Sequence, residues 1–161
     1  MGRELEGGCT CGKVRYRLKA EPMIVHGCHC TWCQRETGSA FAVNAVIETS
    51  EIELGGEAPV IVDTPSLSGR GQLIARCPHC HVAVWSHYPT AGELAAFIRV
   101  GTLDDKTALA PDVHIFTASK APWVTLADGK PAFEEFYPDP GSVWRPEARE
   151  RWAAVMALRK T

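Results

Sequence analysis

The sequence predicts a mainly β protein with one helix at its C-terminal end. Most of the chain consists of short runs in which apolar and polar residues alternate, separated by Gly, Pro and Asp. Only the C-terminal end shows the three- and four-residue apolar spacing of an amphipathic helix. Seven cysteines fall into three groups along the chain, and such grouping is typical of metal ligands that hold short strands together.

The length and composition indicate one globular domain with a substantial core. The chain has 161 residues, of which 45% are hydrophobic and 22% charged. Within the core we expect the aromatic residues Phe41, Trp85 and Trp123. A net charge of −2 argues against a general nucleic-acid binder, which normally carries a basic excess. No segment approaches the run of about 18 apolar residues that a membrane span requires, so we expect neither nucleic acid nor membrane as a partner.

The N-terminal segment, MGRELEGGCT, has no apolar region of the kind that a secretory signal contains. We therefore expect a cytoplasmic protein, whose thiols are kept reduced. In that compartment cysteines are more readily explained as metal ligands or reactive groups than as disulfides, and an odd number of them favours this interpretation further.

Ten alternating runs are predicted to be strands, and in the first, KVRYRLKA, Val14, Tyr16 and Leu18 share one face. The others, in chain order, are PMIVH, FAVNAVIE, EIEL, PVIVD, GQLIARC, HVAVWSHY, AFIRVG, VHIFTA and AFEEFY. Many short strands with turn residues between them predict a sandwich-like or rolled arrangement. The stretch TWCQRETG is predicted to form a single helical turn.

The C-terminal helix is predicted to begin at Pro146, because proline is favoured in the first turn of a helix. Trp152 and Met156 follow at helical spacing and are interpreted as packing residues. We therefore expect a β domain over residues 1–137, followed over residues 138–161 by a Pro-rich linker and a helix packed on the same domain.

Four cysteines have the spacing of a structural zinc site. Cys77 and Cys80 form a C-x-x-C knuckle between two predicted strands, where a redox C-x-x-C pair would instead open a helix. Cys9 and Cys11 are two residues apart, so in an extended segment both point to the same side. Together the two pairs provide the four thiolates of a closed tetrahedral site.

The segment HGCHCTWCQR places Cys28, Cys30 and Cys33 within six positions. Three protein ligands with one open position are typical of a catalytic or substrate-binding zinc. Alternatively, a fourth side chain closes the set as a second structural site. The side chains considered for that place are His26, His29, His79, His81 and Asp63. Ligand count alone leaves both alternatives open.

A zinc held by three thiolates prefers a soft fourth partner. A small thiol that binds such an ion loses its proton and becomes nucleophilic near neutral pH. The open alternative therefore predicts a small thiol as the substrate.

Several segments together resemble the glutathione-dependent formaldehyde-activating (GFA) family, to which the centromere protein V-like domain is related. They are GGCTCGKVRY, CHCTWCQRETGSAF, RCPHCHVAVWS, FIRVGTLDD and HIFTASKAPW, and they occur in the family's order from about residue 5 to residue 125. The succession of C-x-C, C-x-C-x-x-C and C-x-x-C is far more specific than any one of these motifs.

The resemblance implies a β-tent fold pinned by two zinc ions per chain. The positions of the structural zinc correspond to Cys9, Cys11, Cys77 and Cys80. The positions of the second zinc, at the site associated with glutathione, correspond to Cys28, Cys30 and Cys33. The implied activity is that of a carbon–sulfur lyase, which joins glutathione and formaldehyde as S-hydroxymethylglutathione. The centromere protein V relatives imply the alternative of a non-catalytic zinc module with two structural sites.

Two positions depart from the family pattern. His81 follows the second knuckle cysteine where the family often has Gly, and Gly serves where φ is positive, a region that His tolerates less well. Gln34 stands where the family often has Arg. The next residue, Arg35, is a candidate for binding a substrate carboxylate, or else a surface arginine in a salt bridge. His29 lies between two of the cysteines and by alternation should point away from the metal.

Overall fold

The computed structural model describes residues 4–160 of the chain, and this part is mainly β with ten strands in two sheets. The strands are β1 (Leu5–Gly8), β2 (Arg15–Leu18), β3 (Ile24–Cys28), β4 (Ala42–Glu48), β5 (Ile52–Leu54), β6 (Val60–Thr64), β7 (Gln72–Arg76), β8 (Ala83–His87), β9 (Ala95–Arg99) and β10 (Val113–Ile115). The helices are α1 (Thr31–Thr37) and α2 (Pro146–Arg159). The predicted fold class, mainly β with a C-terminal helix, is confirmed.

The smaller sheet has the order β1-β2-β5, and both of its pairings are antiparallel. Strand β1 was not predicted, because its sequence LEGG contains two glycines and is short. The glycine at position 7 is needed for packing. A Cβ there would lie 2.6 Å from the Tyr16 hydroxyl and 2.6 Å from the Thr102 carbonyl oxygen, so the close approach of the chains excludes any side chain.

The larger sheet has the order β10-β3-β4-β9-β8-β7-β6. Its neighbours are antiparallel except for β10, which runs parallel to β3. Successive residues of a strand point to opposite faces, and both faces of the central strands are buried. The sheet therefore separates two hydrophobic cores.

The first core lies between the two sheets. Val25, Ala45 and Ile98 from the large sheet belong to it together with Tyr16 and Leu18 from the small one. The other residues of this core include Leu5, Cys9, Ile47, Ala75, Cys77, Trp85, Ala96 and Leu103. Because burial of apolar surface dominates the stability of a small domain, this core holds the two sheets together.

The second core lies on the opposite face of the large sheet and under the C-terminal segment. Ile24, Val46 and Phe97 point into it from the sheet. The other residues of this core include Met23, Cys28, Cys30, Cys33, Tyr137, Trp144 and Ala148. Trp144 and Ala148 belong to the segment after residue 137, so that segment packs on this face of the sheet.

Helix α2 begins at Pro146 as predicted and buries Ala148 and Val155. Its Trp152 ring lies 5.6 Å from that of Trp144, which agrees with a packing role. Arg151 fixes the helix to the sheet, because its Nε donates to Glu48 Oε1 at 2.8 Å and its Nη1 to the Glu21 carbonyl oxygen at 2.8 Å.

Two other expectations are wrong. The run AFEEFY (132–137) forms no strand, although Ala132 makes a single bridge to His114. Pro131 and Pro138 flank this run, and prolines cannot donate to a ladder. Trp123 is 76% exposed and lies outside both cores, whereas Trp85 is buried. The N-terminal limit of the predicted β domain and the final residue, 161, lie outside the described residues.

None of the helices in residues 4–160 is long and apolar enough to cross a membrane.

The Arg151–Glu48 contact gives a testable, pH-dependent contribution to stability. Burial alone would raise the pKa of Glu48, but the hydrogen bond and charge of Arg151 outweigh it and hold the pKa below its usual value. We expect Arg151→Met to lower the free energy of unfolding by about 1 kcal/mol at pH 7.

Because the folded-state pKa of Glu48 is lowered, this contribution is present above about pH 4.3, the unfolded value, and disappears as the pH falls through the folded pKa. Urea unfolding of both proteins at pH 7 and at pH 3.5 measures it. The exposed Arg149→Met on the same helix is the control. If Arg151→Met lowered the free energy of unfolding equally at both pH values, the pH-dependent contact between Arg151 and Glu48 would be contradicted.

Candidate metal centres

Four sulfur atoms from the two sheets meet at one place. Cys9 and Cys11 come from the loop between β1 and β2, and Cys77 and Cys80 from the turn between β7 and β8. All four sulfurs lie within 4.8 Å of one another. The Cys11 sulfur is 3.5 Å from that of Cys9 and 3.6 Å from that of Cys77. Zinc–sulfur bonds of about 2.3 Å in a tetrahedron place the sulfurs about 3.8 Å apart, so this donor set fits a tetrahedral ion.

The first pair lies in a tight turn and not, as predicted, in an extended segment. Gly12 has φ 78° and donates its N–H to the Cys9 carbonyl oxygen at 3.2 Å. The turn brings the Val14 N–H within 3.3 Å of the Cys9 sulfur. A backbone donor at this distance favours the thiolate form, so the turn both aims and activates the ligand.

The second pair is the predicted knuckle. The His81 N–H donates to the Cys77 carbonyl oxygen at 3.0 Å, and the His79 N–H lies 3.4 Å from the Cys77 sulfur. His81 adopts φ 63°, which is the left-handed conformation for which the family often uses Gly. Backbone donors from Val82 and Cys11 lower the pKa of Cys80 to about 6. The knuckle is therefore built for a thiolate.

The other three sulfurs also lie within 4.8 Å of one another; we call Cys28, Cys30 and Cys33 the thiol trio. Cys28 is the last residue of β3, Cys30 is the N-cap of α1 and Cys33 lies in the first turn of that helix. The Cys33 N–H donates to the Cys30 sulfur at 3.3 Å. Gly38, at φ 62°, ends the helix and so keeps it short.

The electrostatics of the thiol trio favour an ion. Hydrogen bonds from Cys28 and Cys33 lower the pKa of Cys30 to about 3, whereas hydrogen bonds to the other two sulfurs and burial raise the pKa of Cys28. Without a cation, one thiol of the trio ionises readily, but ionisation of a second thiol is unfavourable because the two negative charges repel. The positive charge of a divalent ion would offset the repulsion between the thiolates, so the three thiols fit a metal site.

None of the side chains considered as a fourth ligand joins the thiol trio. Among residues 4–160, no histidine or carboxylate and no further cysteine belongs to this group. His26 instead makes a 2.7 Å hydrogen bond with the Tyr137 hydroxyl, and His79 a 2.8 Å one with Glu57. Asp63 lies on β6, and His81 is exposed in the knuckle.

His29 points away from the trio, as alternation predicts, but it is fully buried. Its Nε2 lies 3.0 Å from His114 Nδ1, and His114 Nε2 lies 2.7 Å from Asp128 Oδ2. The carboxylate can only accept, so His114 Nε2 donates to it, and in the neutral form of His114 the other nitrogen, Nδ1, accepts from His29. The remaining nitrogen of His29, Nδ1, is then a buried acceptor without a partner in the described residues. Burial lowers the pKa of His29 to about 4.

Sequence reasoning missed a buried arginine near the thiol trio. Arg99 is 6% exposed and donates to Asn44 Oδ1 at 2.6 Å and to Ser86 Oγ at 3.0 Å. The only signal was a charged residue that ends an otherwise apolar strand, AAFIR. Such a residue is ordinarily a surface group, so the pattern gave no reason to select it.

The candidate substrate residue Arg35 is exposed on α1, and its side chain has no hydrogen bond or ion pair to any described residue. It lines a cavity of about 240 Å³ together with Trp32 and Gln72, among others. Gln34 does not face this cavity. Its amide donates to the carbonyl oxygens of His29 at 2.8 Å and Ser119 at 2.9 Å, so it fixes the loop of the trio.

Known proteins are similar to this chain in sequence and in fold comparisons. A Halomonas elongata protein named "Putative glutathione-dependent formaldehyde-activating enzyme" is 26% identical over 126 residues, which are 76% of this chain and 80% of that protein. A crystal structure of a Rhodobacter sphaeroides protein shares 17% identity and covers 66% of this chain and 97% of its own, with a TM-score of 0.47. The sequence pattern of one family, described as glutathione-dependent formaldehyde-activating enzyme, matches residues 4–119. The chain belongs to this GFA family.

Proposed function

We propose that this protein is a zinc-dependent carbon–sulfur lyase that acts on the adduct of a small thiol with an aldehyde. Glutathione and formaldehyde are the pair that the family name indicates. The observation that carries the proposal is the difference between the two cysteine groups. One supplies four sulfurs and the other three, with no further ligand from the described residues. Four thiolates close a tetrahedral zinc, whereas three leave a place for a substrate.

The two groups receive different roles in this proposal. Cys9, Cys11, Cys77 and Cys80 would hold a structural zinc that joins the small sheet to the large one. Cys28, Cys30 and Cys33 would hold a second zinc and would be its only ligands among the described residues. An ion bound there supplies Lewis acidity, which favours the thiolate form of a thiol that reaches it.

The chain's own residues position and enclose this reaction. The Cys28, Cys30 and Cys33 side chains are 5%, 5% and 8% exposed, so bulk water has little access to them. Arg35, whose side chain is exposed and has no partner among the described residues, would bind a substrate carboxylate on the outer side of α1. In the forward direction the thiol sulfur forms a bond to the aldehyde carbon, and the carbonyl π electrons move to the oxygen. The thiol loses a proton and this oxygen gains one, so no oxidant or reductant is required.

A cytoplasmic location, where thiols are kept reduced, belongs to the same proposal. So does a small thiol as the partner, with neither nucleic acid nor membrane required.

One observation favours a second candidate, a non-catalytic module with two structural zincs. The thiol trio is buried, whereas Cys11 of the four-sulfur group is exposed. A structural site is usually the enclosed one, and a substrate site needs access. Access of a thiol to the second zinc therefore separates the two candidates.

Cys30→Ser tests the open site directly. We expect native mass spectrometry of the wild-type protein to show two zincs and an added glutathione, because the thiol completes the coordination of the second ion. Cys30→Ser should keep one zinc, lose the glutathione adduct and lose lyase turnover, with an unchanged circular dichroism spectrum. Two zincs without any thiol adduct in the wild-type protein would favour the structural module instead. Unchanged turnover in Cys30→Ser would remove the mechanism.

The two zincs should differ in their effect on stability. Cys77→Ser removes a ligand that joins the two sheets, and structural zinc sites of small peptides contribute on the order of 10 kcal/mol. We expect its unfolding temperature, measured by differential scanning calorimetry, to fall well below that of Cys33→Ser. Cys33→Ser is the matched control, since it removes a buried thiol from the other group. An equal decrease in the unfolding temperature of the two variants would contradict a structural role for the first zinc and a substrate-binding role for the second.

A further inference from the structure

The guanidinium of Arg99 is a buried charge without an anionic partner in the described residues. It is 6% exposed, and its hydrogen bonds go to the neutral side chains of Asn44 and Ser86. The third donor, Nε, is buried and has no partner there. Within residues 4–160, no carboxylate lies at ion-pair distance from Arg99. A buried cation is costly unless an opposite charge compensates it, so an anion is expected near Arg99.

The sheet register places the thiol trio on the same side of the sheet as Arg99. Arg99 lies opposite Asn44 on the neighbouring strand β4, and Cys28 lies opposite Ala42 on the same strand. Residues two apart in a strand share a face, so Asn44 and Ala42 point to the same side. Arg99 and Cys28 therefore both face the second core.

The electrostatics agree with this placement. The charge of Arg99 acts to lower the pKa of Tyr88. The charges of all three trio cysteines act on the same Tyr88 in the opposite direction. The ring of Tyr88 lies 4.8 Å from that of Phe97, which packs in the core of the trio. Arg99 and the trio thiols therefore both act on the same tyrosine, on the side of the sheet that the register assigns to both.

We propose that Arg99 is the counter-ion of the metal-loaded thiol trio, held in place by Asn44 and Ser86. Three thiolates and one divalent ion leave a net charge of −1, which one guanidinium balances. A fourth, substrate thiolate adds a further negative charge to this buried site, and the cation reduces the cost of admitting it. Arg99 is thus a positioning residue that sets the charge of the site. This inference rests on the proposed function, because it requires a metal ion at the trio.

A purely structural role for Arg99 is the alternative to be separated. Asn44 and Ser86 lie on β4 and β8, on either side of β9, and Arg99 bridges them. If this bridge were its whole role, a neutral side chain that can hydrogen-bond would replace it. If the charge is the role, a lysine would replace it better. Arg99→Gln and Arg99→Lys therefore separate the two roles.

The test measures zinc affinity by competition with a chelator of known affinity, followed by mass spectrometric zinc counts. The zinc of the trio is identified as the one that Cys30→Ser lacks. We expect Arg99→Gln to weaken the trio zinc on the order of tenfold, because a nearby positive charge is lost. Arg99→Lys should stay close to the wild-type affinity. The zinc of the four-sulfur group should be unchanged in both variants and serves as the internal reference.

Arg151→Met is the matched control, because it removes a partly buried arginine that contacts Glu48 and neither cysteine group. It should leave both zinc affinities unchanged. Wild-type affinity of the trio zinc in Arg99→Gln would overturn the counter-ion inference and leave the proposed function standing. A wild-type protein that binds one zinc only would overturn both.

Discussion

The meeting of four sulfurs between the two sheets is the contact on which the rest of the architecture depends. The small sheet has three short strands and shares one core with the large sheet. The loop that follows β1 and the knuckle that follows β7 converge at Cys9 and Cys77, which are both buried in that core. An ion held there would link segments almost seventy residues apart along the chain. Loop closure over such a distance is entropically costly, and a metal is an economical way to offset it.

The thiol trio lies on the other face of the large sheet and obeys a different constraint. Its sulfurs are fixed by the end of β3 and the first turn of α1. Arg99 faces the same side of the sheet, where the aromatic residues of the second core also lie. The trio residues are buried, and so is the cation Arg99 on the same side of the sheet. A buried site strengthens every charge interaction within it, so a metal ion bound by three thiolates would be balanced by Arg99, as we propose. The burial of the thiol trio is typical of a structural site, but it is also compatible with a site that binds and activates a thiol.

The fold class and both cysteine groups could be predicted from sequence, because ligand spacing and strand alternation are local signals. Helix α2 was predictable for the same reason, from Pro146 and its apolar spacing. Other features could not be predicted. Strand β1 depends on the close approach of Gly7 to Tyr16, and the relay from His29 through His114 to Asp128 joins residues far apart in sequence. The burial of Arg99 likewise follows from its strand's central place in the sheet, which no single strand pattern reveals.

The central claim is that the second metal has three protein ligands and accepts a thiol as the fourth. Zinc-edge X-ray absorption of the zinc-loaded protein, with and without glutathione, tests it most directly because it counts sulfur neighbours. The account predicts that the average number of sulfur neighbours per zinc rises when glutathione is added, and that S-methylglutathione, which has no free thiol, produces no rise. An average that glutathione leaves unchanged would contradict the open site and would support two closed structural zincs.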